Sequence, residues 1–178
     1  VGFYNEINTN QRGALGAVVV DNGGAFALVA AGLVQASSLT AISGGTLSGI
    51  GTFDTPTINV SGTVNPGNSP RILTMGTATT PTTVTFSSTG ELVIEMQGDA
   101  VAGTDYDVLN VVGDVVFEPG AQLTLSYLNG YSPTPVTVWP DILTATGSVT
   151  GWENLALPPK YELSLAGGNL TLSLIPEP

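Results

Sequence analysis

Acidic side chains are the groups in this sequence that are best suited to catalysis or metal binding, and two pairs of them are closely spaced. Glu91 and Glu95 would lie on one face of a strand, about 13 Å apart. Glycoside hydrolysis needs carboxyl groups about 5–5.5 Å or 6.5–9.5 Å apart. Asp105 and Asp107 would lie about 6.6 Å apart on a strand, at the lower edge of the second range. No Arg, Lys or His is close in sequence to hold an acidic sugar, so solvated carboxylates are favoured over a catalytic pair.

Four aspartates near glycines are an alternative binding site for calcium, which prefers six to eight oxygen ligands. These candidate metal ligands are Asp99, Asp105, Asp107 and Asp114. Their spacing matches neither an EF-hand loop nor the nonapeptide calcium repeat. The favoured interpretation is therefore aspartates in solvated turns with no cofactor, and calcium is kept as the alternative.

The composition excludes several functional classes. The 178-residue chain has 3 Lys+Arg against 14 Asp+Glu, a net charge of −11. Nucleic acid and anionic membranes both require a basic patch, so neither is an expected partner. The chain has no His and no Cys, which removes Ser-His-Asp and Cys-His catalysis and zinc sites built on those residues. The longest apolar run is about ten residues, whereas a membrane span needs about twenty, so we expect no span in this chain. We expect that the protein is not an enzyme.

Two further features point to carbohydrate or another patterned ligand. Residues 77–85 are dense in threonine, but Pro81 interrupts the array, so the favoured interpretation is a surface strand and loop. Trp139 and Trp152 are candidate platforms for stacking sugars. Packing in the core or at a corner is the favoured role for both.

Alternation of apolar and polar residues predicts β-strands. It is clearest at 91–96, 122–127, 161–165 and 169–174. The 23 Gly and 12 Pro argue against long helices. Between residues 13 and 75, short strands with a small-residue corner recur about every ten to fifteen residues, which favours stacked coils with a degenerate repeat. For residues 14–20, β-branched side chains favour a strand over a helix.

The predicted fold is all-β, a short right-handed β-helix or solenoid. The second half either continues the coils or folds back as a β-sandwich-like C-terminal lobe with a hairpin at Asn129-Gly130. We expect a single β-rich domain over 1–178. Within it, 1–12 is an N-terminal tether or donor strand, 13–97 is the solenoid-like half, and 98–178 is the C-terminal β half.

A set of ordered motifs resembles one family of bacterial proteins. The motifs are SGGTLSGIGT at 43–52, VSGTV at 60–64, NPGNSP at 65–70, GTDYDVLNVVG at 103–113, NGY at 129–131, DILTA at 141–145 and GNLTLSLIPEP at 168–178. Together they resemble the β-helical repeats of surface proteins with a PEP-CTERM sorting signal, which are similar to autotransporter passenger repeats. Arg71 departs from the pattern, because the family usually has Gly after the corner proline.

The resemblance implies export, with Pro176, Glu177 and Pro178 as the sorting motif and an apolar helix and basic tail removed beyond it. The chain begins with Val1 and not Met, which also leads us to expect upstream processing. The resemblance therefore implies an extracellular or cell-surface location. It carries over no enzymatic residue.

The expected function is a secreted structural subunit of a cell-surface layer, matrix or filament. Its expected partner is itself, in a head-to-tail homopolymer, with extracellular polysaccharide as a second partner. Val1, Phe3 and Ile7 fall on one strand face, with Asn5 as the exception, before a polar tether at 8–13, a pattern that suits strand donation between chains. The same strand could instead cap the first coil of its own chain. The alternative function is a carbohydrate-binding or carbohydrate-cleaving β-helix, either an adhesin or a polysaccharide enzyme.

Overall fold

The computed structural model describes residues 15–21, 23–28, 31–41, 43–67, 69–134 and 137–176. These residues form strands almost throughout, with one short 3₁₀ helix at Trp152–Asn154. The strands wind around one apolar core as stacked coils, and three strand faces, here named A, B and C, surround that core. The predicted all-β, solenoid-like fold is confirmed. No described segment is a helix with the length and apolar character of a membrane span.

Successive strands visit the three faces in turn. Face A contains β1 (Leu15–Val20), the second half of β3 (Leu33–Ala41), β6 (Thr57–Val60), β9 (Thr82–Phe86), β12 (Gly113–Phe117) and β15 (Val149–Thr150). Face B contains β2 (Ala25–Leu28), β4 (Thr46–Gly49), β7 (Thr63–Pro66), β10 (Glu91–Met96) and β13 (Gln122–Tyr127). Face C contains the first half of β3, β5 (Thr52–Asp54), β8 (Ile72–Met75), β11 (Val108–Val111), β14 (Val138–Ala145), β17 (Asn169–Leu174) and β16 (Tyr161–Ala166). Neighbouring strands are parallel up to β14.

Buried ladders hold the coils in register. Leu39 on β3 pairs with Ile58, which pairs with Val84, then Val115, then Val149. The steps along the chain are 19, 26, 31 and 34 residues, so each coil is complete but the coil length changes. All five side chains are buried. This variation in length explains why the sequence shows only a degenerate repeat. Parallel crossovers are almost always right-handed, and the right-handed winding stays a prediction on that ground.

The corner between faces A and B is tight because small residues stack there. The first residue of a face B strand donates its backbone N–H to a carbonyl in the coil before it. The acceptor is the residue just before the face B strand of that earlier coil. These bonds are Thr46 N to Gly24 O at 3.0 Å, Thr63 N to Gly45 O at 2.9 Å, Glu91 N to Gly62 O at 2.9 Å and Gln122 N to Gly90 O at 2.9 Å. Backbone therefore stacks directly on backbone along this edge.

The C-terminal half continues the solenoid as far as Thr150 and does not form a β-sandwich-like lobe. The chain then returns as an antiparallel hairpin of β16 and β17, and β17 pairs with β14. The hairpin turns at Gly167-Gly168, where both φ angles are positive. The hairpin expected at Asn129-Gly130 is wrong. A turn forms there, but β13 lies on face B and β14 on face C, so the turn makes a corner between faces.

Candidate functional site

Loops at the corner between faces B and C are longest in the last two coils. The connection from β4 to β5 is residues 50–51, from β7 to β8 it is 67–71, from β10 to β11 it is 97–107, and from β13 to β14 it is 128–137. Three of the four aspartates singled out in the sequence lie in the 97–107 loop. This corner is therefore where the fold concentrates its irregular backbone and polar side chains.

Asp107 is the buried carboxyl group of this corner, with no exposed surface. Its Oδ1 accepts a hydrogen bond from the backbone N–H of Arg71 at 2.8 Å. Its Oδ2 accepts one from the backbone N–H of Glu95 at 2.9 Å. The donors lie in the β7–β8 loop and on β10, so one side chain ties together three separate segments of the chain.

The electrostatic setting of Asp107 is unusual. Burial raises the pKa of this carboxyl to about 8, although the two backbone N–H donors act to lower it. Repulsion from the Glu95 side chain contributes to this raised pKa, as a smaller cause than burial. A group without exposed surface does not reach a dissolved polysaccharide. Asp107 therefore fits a structural role and not that of an acid or base in a cleft.

The other candidate metal ligands have separate partners. Asp105 accepts from the backbone N–H groups of Ala100 and Val101 through Oδ2, which orders its own loop. Asp99 accepts from the Tyr131 hydroxyl. Neither Asp105 nor Asp107 lies in a strand, because β11 begins at Val108, so the strand spacing expected for that pair is wrong.

Asp114 lies away from this corner, on face A. Both the N–H and the hydroxyl of Ser148 donate to it, and these bonds lower its pKa. Within the described residues, no three acidic side chains are grouped so as to hold a metal ion.

The two glutamates of β10 share its outer face, as the alternation predicts. Glu91 accepts hydrogen bonds from the hydroxyls of Thr63 and Thr124, which lie on the two flanking strands. Glu95 accepts one from the backbone N–H of Ser69. Each glutamate therefore links neighbouring coils, a role that spacing along one strand does not reveal.

The two tryptophans differ in burial, and Trp139 is the one that is packed in the core. Trp139 has no exposed surface, its Nε1–H donates to the carbonyl of Gly98 at 3.0 Å, and its ring lies 6.0 Å from that of Tyr161. Trp152 lies in the 3₁₀ helix, half-buried against the core. Trp139 thus agrees with the core role that the sequence favours.

Threonines line up across the coils and not along the sequence. On the outer surface of face A, the register places Thr57 beside Thr83, and Thr83 beside Asp114. A second column, two residues further along each strand, contains Thr40, Asn59, Thr85, Val116 and Thr150. Residues 77–85 form the loop and strand that the sequence favours, because β9 begins at Thr82 and the Thr77 hydroxyl donates to Asp54.

The C-terminal end of the stack is incompletely covered. Face A has a sixth strand, β15, and face C has β17 and β16, but face B ends at β13 among the described residues. Only Ala156 bridges β13 on that side, at Gln122. We call this region the open end, and its half-buried apolar side chains are Leu125, Leu157, Leu163 and Leu165.

The N-terminal end also presents strand edges. β1 pairs with β3 and β2 pairs with β4, and within the described residues neither has a second strand partner. Leu15, Val18 and Phe26 are half-buried there, and Val19 is 63 % exposed. Both ends of the solenoid thus expose backbone edges beside apolar side chains.

Several predicted residues lie outside the described part of the chain. They are Val1, Phe3 and Ile7 of the assembly strand and Glu177 and Pro178 of the sorting motif. Pro176 is described and lies exposed after β17. No family model matches the chain, and a comparison with curated proteins finds no similar sequence.

Proposed function

We propose that this protein is a structural subunit that associates with copies of itself through β-strand edges. One observation carries the proposal: the stacked sheets end at both ends in strand edges without a second strand among the described residues. Such edges are templates for pairing with another chain. Because the two ends differ, their contact is head-to-tail, and head-to-tail contacts that do not close produce filaments.

The proposal extends to location and chemistry. The resemblance to sorted surface proteins supports a secreted protein of a cell-surface layer, matrix or filament. We further propose that it has no enzymatic activity. The buried position of Asp107 and the separate bonding of Asp105 support this, since the closest acidic pair does not face a shared substrate position.

Electron microscopy of the purified full chain tests this function. Negative staining at micromolar concentration is expected to show filaments or sheets whose repeat along the axis matches one solenoid. Sedimentation should show a concentration-dependent large species. A chain that remains monomeric at all concentrations, salts and pH values between 4 and 8 would contradict the proposal.

Face A supports a second candidate function, the binding of extracellular polysaccharide. Its two outward columns present mainly hydroxyl and amide groups, together with Asp114 and Val116, at the regular spacing of parallel strands, about 4.8 Å. Co-sedimentation with insoluble polysaccharides tests this, with Thr83→Val and Thr85→Val as variants. Thr63→Val on face B is the matched control. Binding that is unchanged in the face A variants would rule out this surface.

A further inference from the structure

Among the described residues, the last coil lacks the face B strand that each earlier coil has. Each earlier coil has a strand on faces A, B and C, whereas the last coil has β15 on face A and the β16–β17 hairpin on face C. On face B it contributes only the bridge at Ala156, after which residues 157–160 cross to β16. The free edge of β13 beyond Gln122 therefore lies where the next face B strand would pair.

The burial pattern shows that the core is uncovered at the same place. Ile94 on β10 is fully buried, but its register partner Leu125 on β13 is only half-buried. On face C, Leu172 has no exposed surface, while its partner Leu163 on β16 is half-buried. Apolar side chains thus lose their cover on both sides of the missing strand.

The remaining sequence contains a segment with the matching pattern. As a strand, residues 1–7 would place Val1, Phe3 and Ile7 on one face, with Asn5 as the one polar exception, and Gly2, Tyr4 and Glu6 on the other. The inward positions of a face B strand need such alternating apolar groups. Seven residues also suffice to pair with the part of β13 that follows Gln122.

The length of the tether between residue 7 and β1 decides which chain supplies the segment. Residues 8–14 span at most about 25 Å when fully extended. The six strands of face A span about 24 Å at the usual strand spacing. A chain would use its whole tether in reaching its own open end, with nothing left to cross to face B. A second copy stacked head-to-tail has its tether beside the open end.

We propose that residues 1–7 of a second copy fill the missing face B position of the last coil, paired with the free edge of β13. This proposal rests on the proposed self-association and names the site that performs it. The donated strand covers Leu125 from the side and Leu163 from across the core. Each junction then continues face B from one subunit to the next.

Cysteine cross-linking of full-length chains tests the donated strand. Because the sequence contains no cysteine, only the introduced cysteines can react with the linker. Chains with Phe3→Cys or Ile7→Cys are mixed with Leu125→Cys chains before assembly and treated with a short thiol-to-thiol linker. We expect a cross-linked dimer that contains one chain of each kind. Ser126→Cys, on the outer face of β13, is the matched control and is expected to give several-fold less product.

The outcomes separate the two proposals. If polymers form but Leu125→Cys gives no more product than Ser126→Cys, the donated strand is wrong and self-association stands. A chain that carries both Phe3→Cys and Leu125→Cys tests the alternative. If this chain forms only an internal cross-link and the mixture of single variants forms none, the strand comes from the same chain and the proposal is overturned. If no polymer and no cross-link form while circular dichroism shows native strands, both proposals fail.

A second measurement covers variants that fold poorly. Leu125→Asp places a charge at the uncovered core, and Ser126→Asp places the same charge on the outer face. We expect Leu125→Asp to lower the polymer yield at least tenfold and Ser126→Asp to leave it within twofold. Equal yields from two folded variants would contradict a strand that covers Leu125.

Discussion

The carboxyl group of Asp107 accepts a hydrogen bond from the backbone N–H of Arg71, 36 residues earlier in the chain, at 2.8 Å. The same group accepts one from the backbone N–H of Glu95 at 2.9 Å. A buried carboxyl normally requires such donors, because an uncompensated polar group in the interior is costly. The corner between faces B and C is thus fixed by a side chain where the strands themselves do not pair.

Asp107→Asn should remove the contribution of Asp107 to the pH dependence of the free energy of unfolding. The folded pKa, about 8, lies above the ordinary value of 3.8. Between these pH values the unfolded chain is ionised and the folded chain holds the proton, so raising the pH favours unfolding. For one proton the slope approaches about 1.4 kcal/mol per pH unit.

Urea unfolding at pH 5, 7 and 9 measures this effect. The wild-type midpoint should fall relative to that of Asp107→Asn as the pH rises through this window. Comparison with the variant cancels the other carboxyl groups, including Asp114, whose lowered pKa acts in the opposite direction. Parallel curves for the two proteins would mean that Asp107 is ionised in the folded state.

Gly113→Ala should destabilise the fold by about 2–4 kcal/mol. The φ angle of Gly113 is 138°, and a Cβ there would lie 1.9 Å from the carbonyl oxygen of Thr82 on the neighbouring coil. Gly16→Ala is the control, since a Cβ there has open space and should change stability by less than about 1 kcal/mol. Equal losses in urea unfolding would argue against the close approach of β9 and β12.

The strands were largely predictable because their signal is local. Alternation identifies β10, β13, β16 and β17 almost to the residue. The stacking is not local, since coil lengths of 19 to 34 residues hide the repeat. One usable signal was the small residue before each face B strand, as at Gly24, Gly45 and Gly62. Its spacing is irregular, so it marks corners but gives no period.

The site was less predictable because its contacts join distant residues. An aspartate beside a tyrosine in a Gly-rich segment resembles a solvated turn, and only the stacking of three segments buries Asp107. The Asn129-Gly130 pair predicts a hairpin from local turn preference. The fold overrides this preference because β13 and β14 each pair with the preceding coil on a different face.

The two tryptophans should differ sharply in solvent access. With Trp152→Phe, the remaining Trp139 is buried and bonded to Gly98, so its fluorescence should be blue-shifted and weakly quenched by acrylamide. With Trp139→Phe, the half-buried Trp152 should be quenched several-fold more strongly. Strong quenching and red-shifted emission of Trp139 would show that it is accessible, which would revive its role as a sugar platform.

Assembly should respond to salt and pH, because every subunit carries a net charge of −11. Like charges repel over about one Debye length, which shrinks from about 30 Å at 0.01 M salt to about 3 Å at 1 M. Contact between the end of one subunit and the opposite end of the next is therefore opposed at low salt and permitted at high salt. Lowering the pH towards the isoelectric point of about 4.1 neutralises carboxylates and should act in the same direction.

Light scattering during titration with NaCl, and with CaCl₂ at equal ionic strength, measures this response. Pure screening predicts that the two salts lower the critical concentration for assembly about equally. A much larger effect of calcium would mean that carboxylates from two subunits bind the ion together at the junction. If the chain assembles but the scattering responds to neither salt, nor to pH between 4 and 8, charge repulsion does not control assembly.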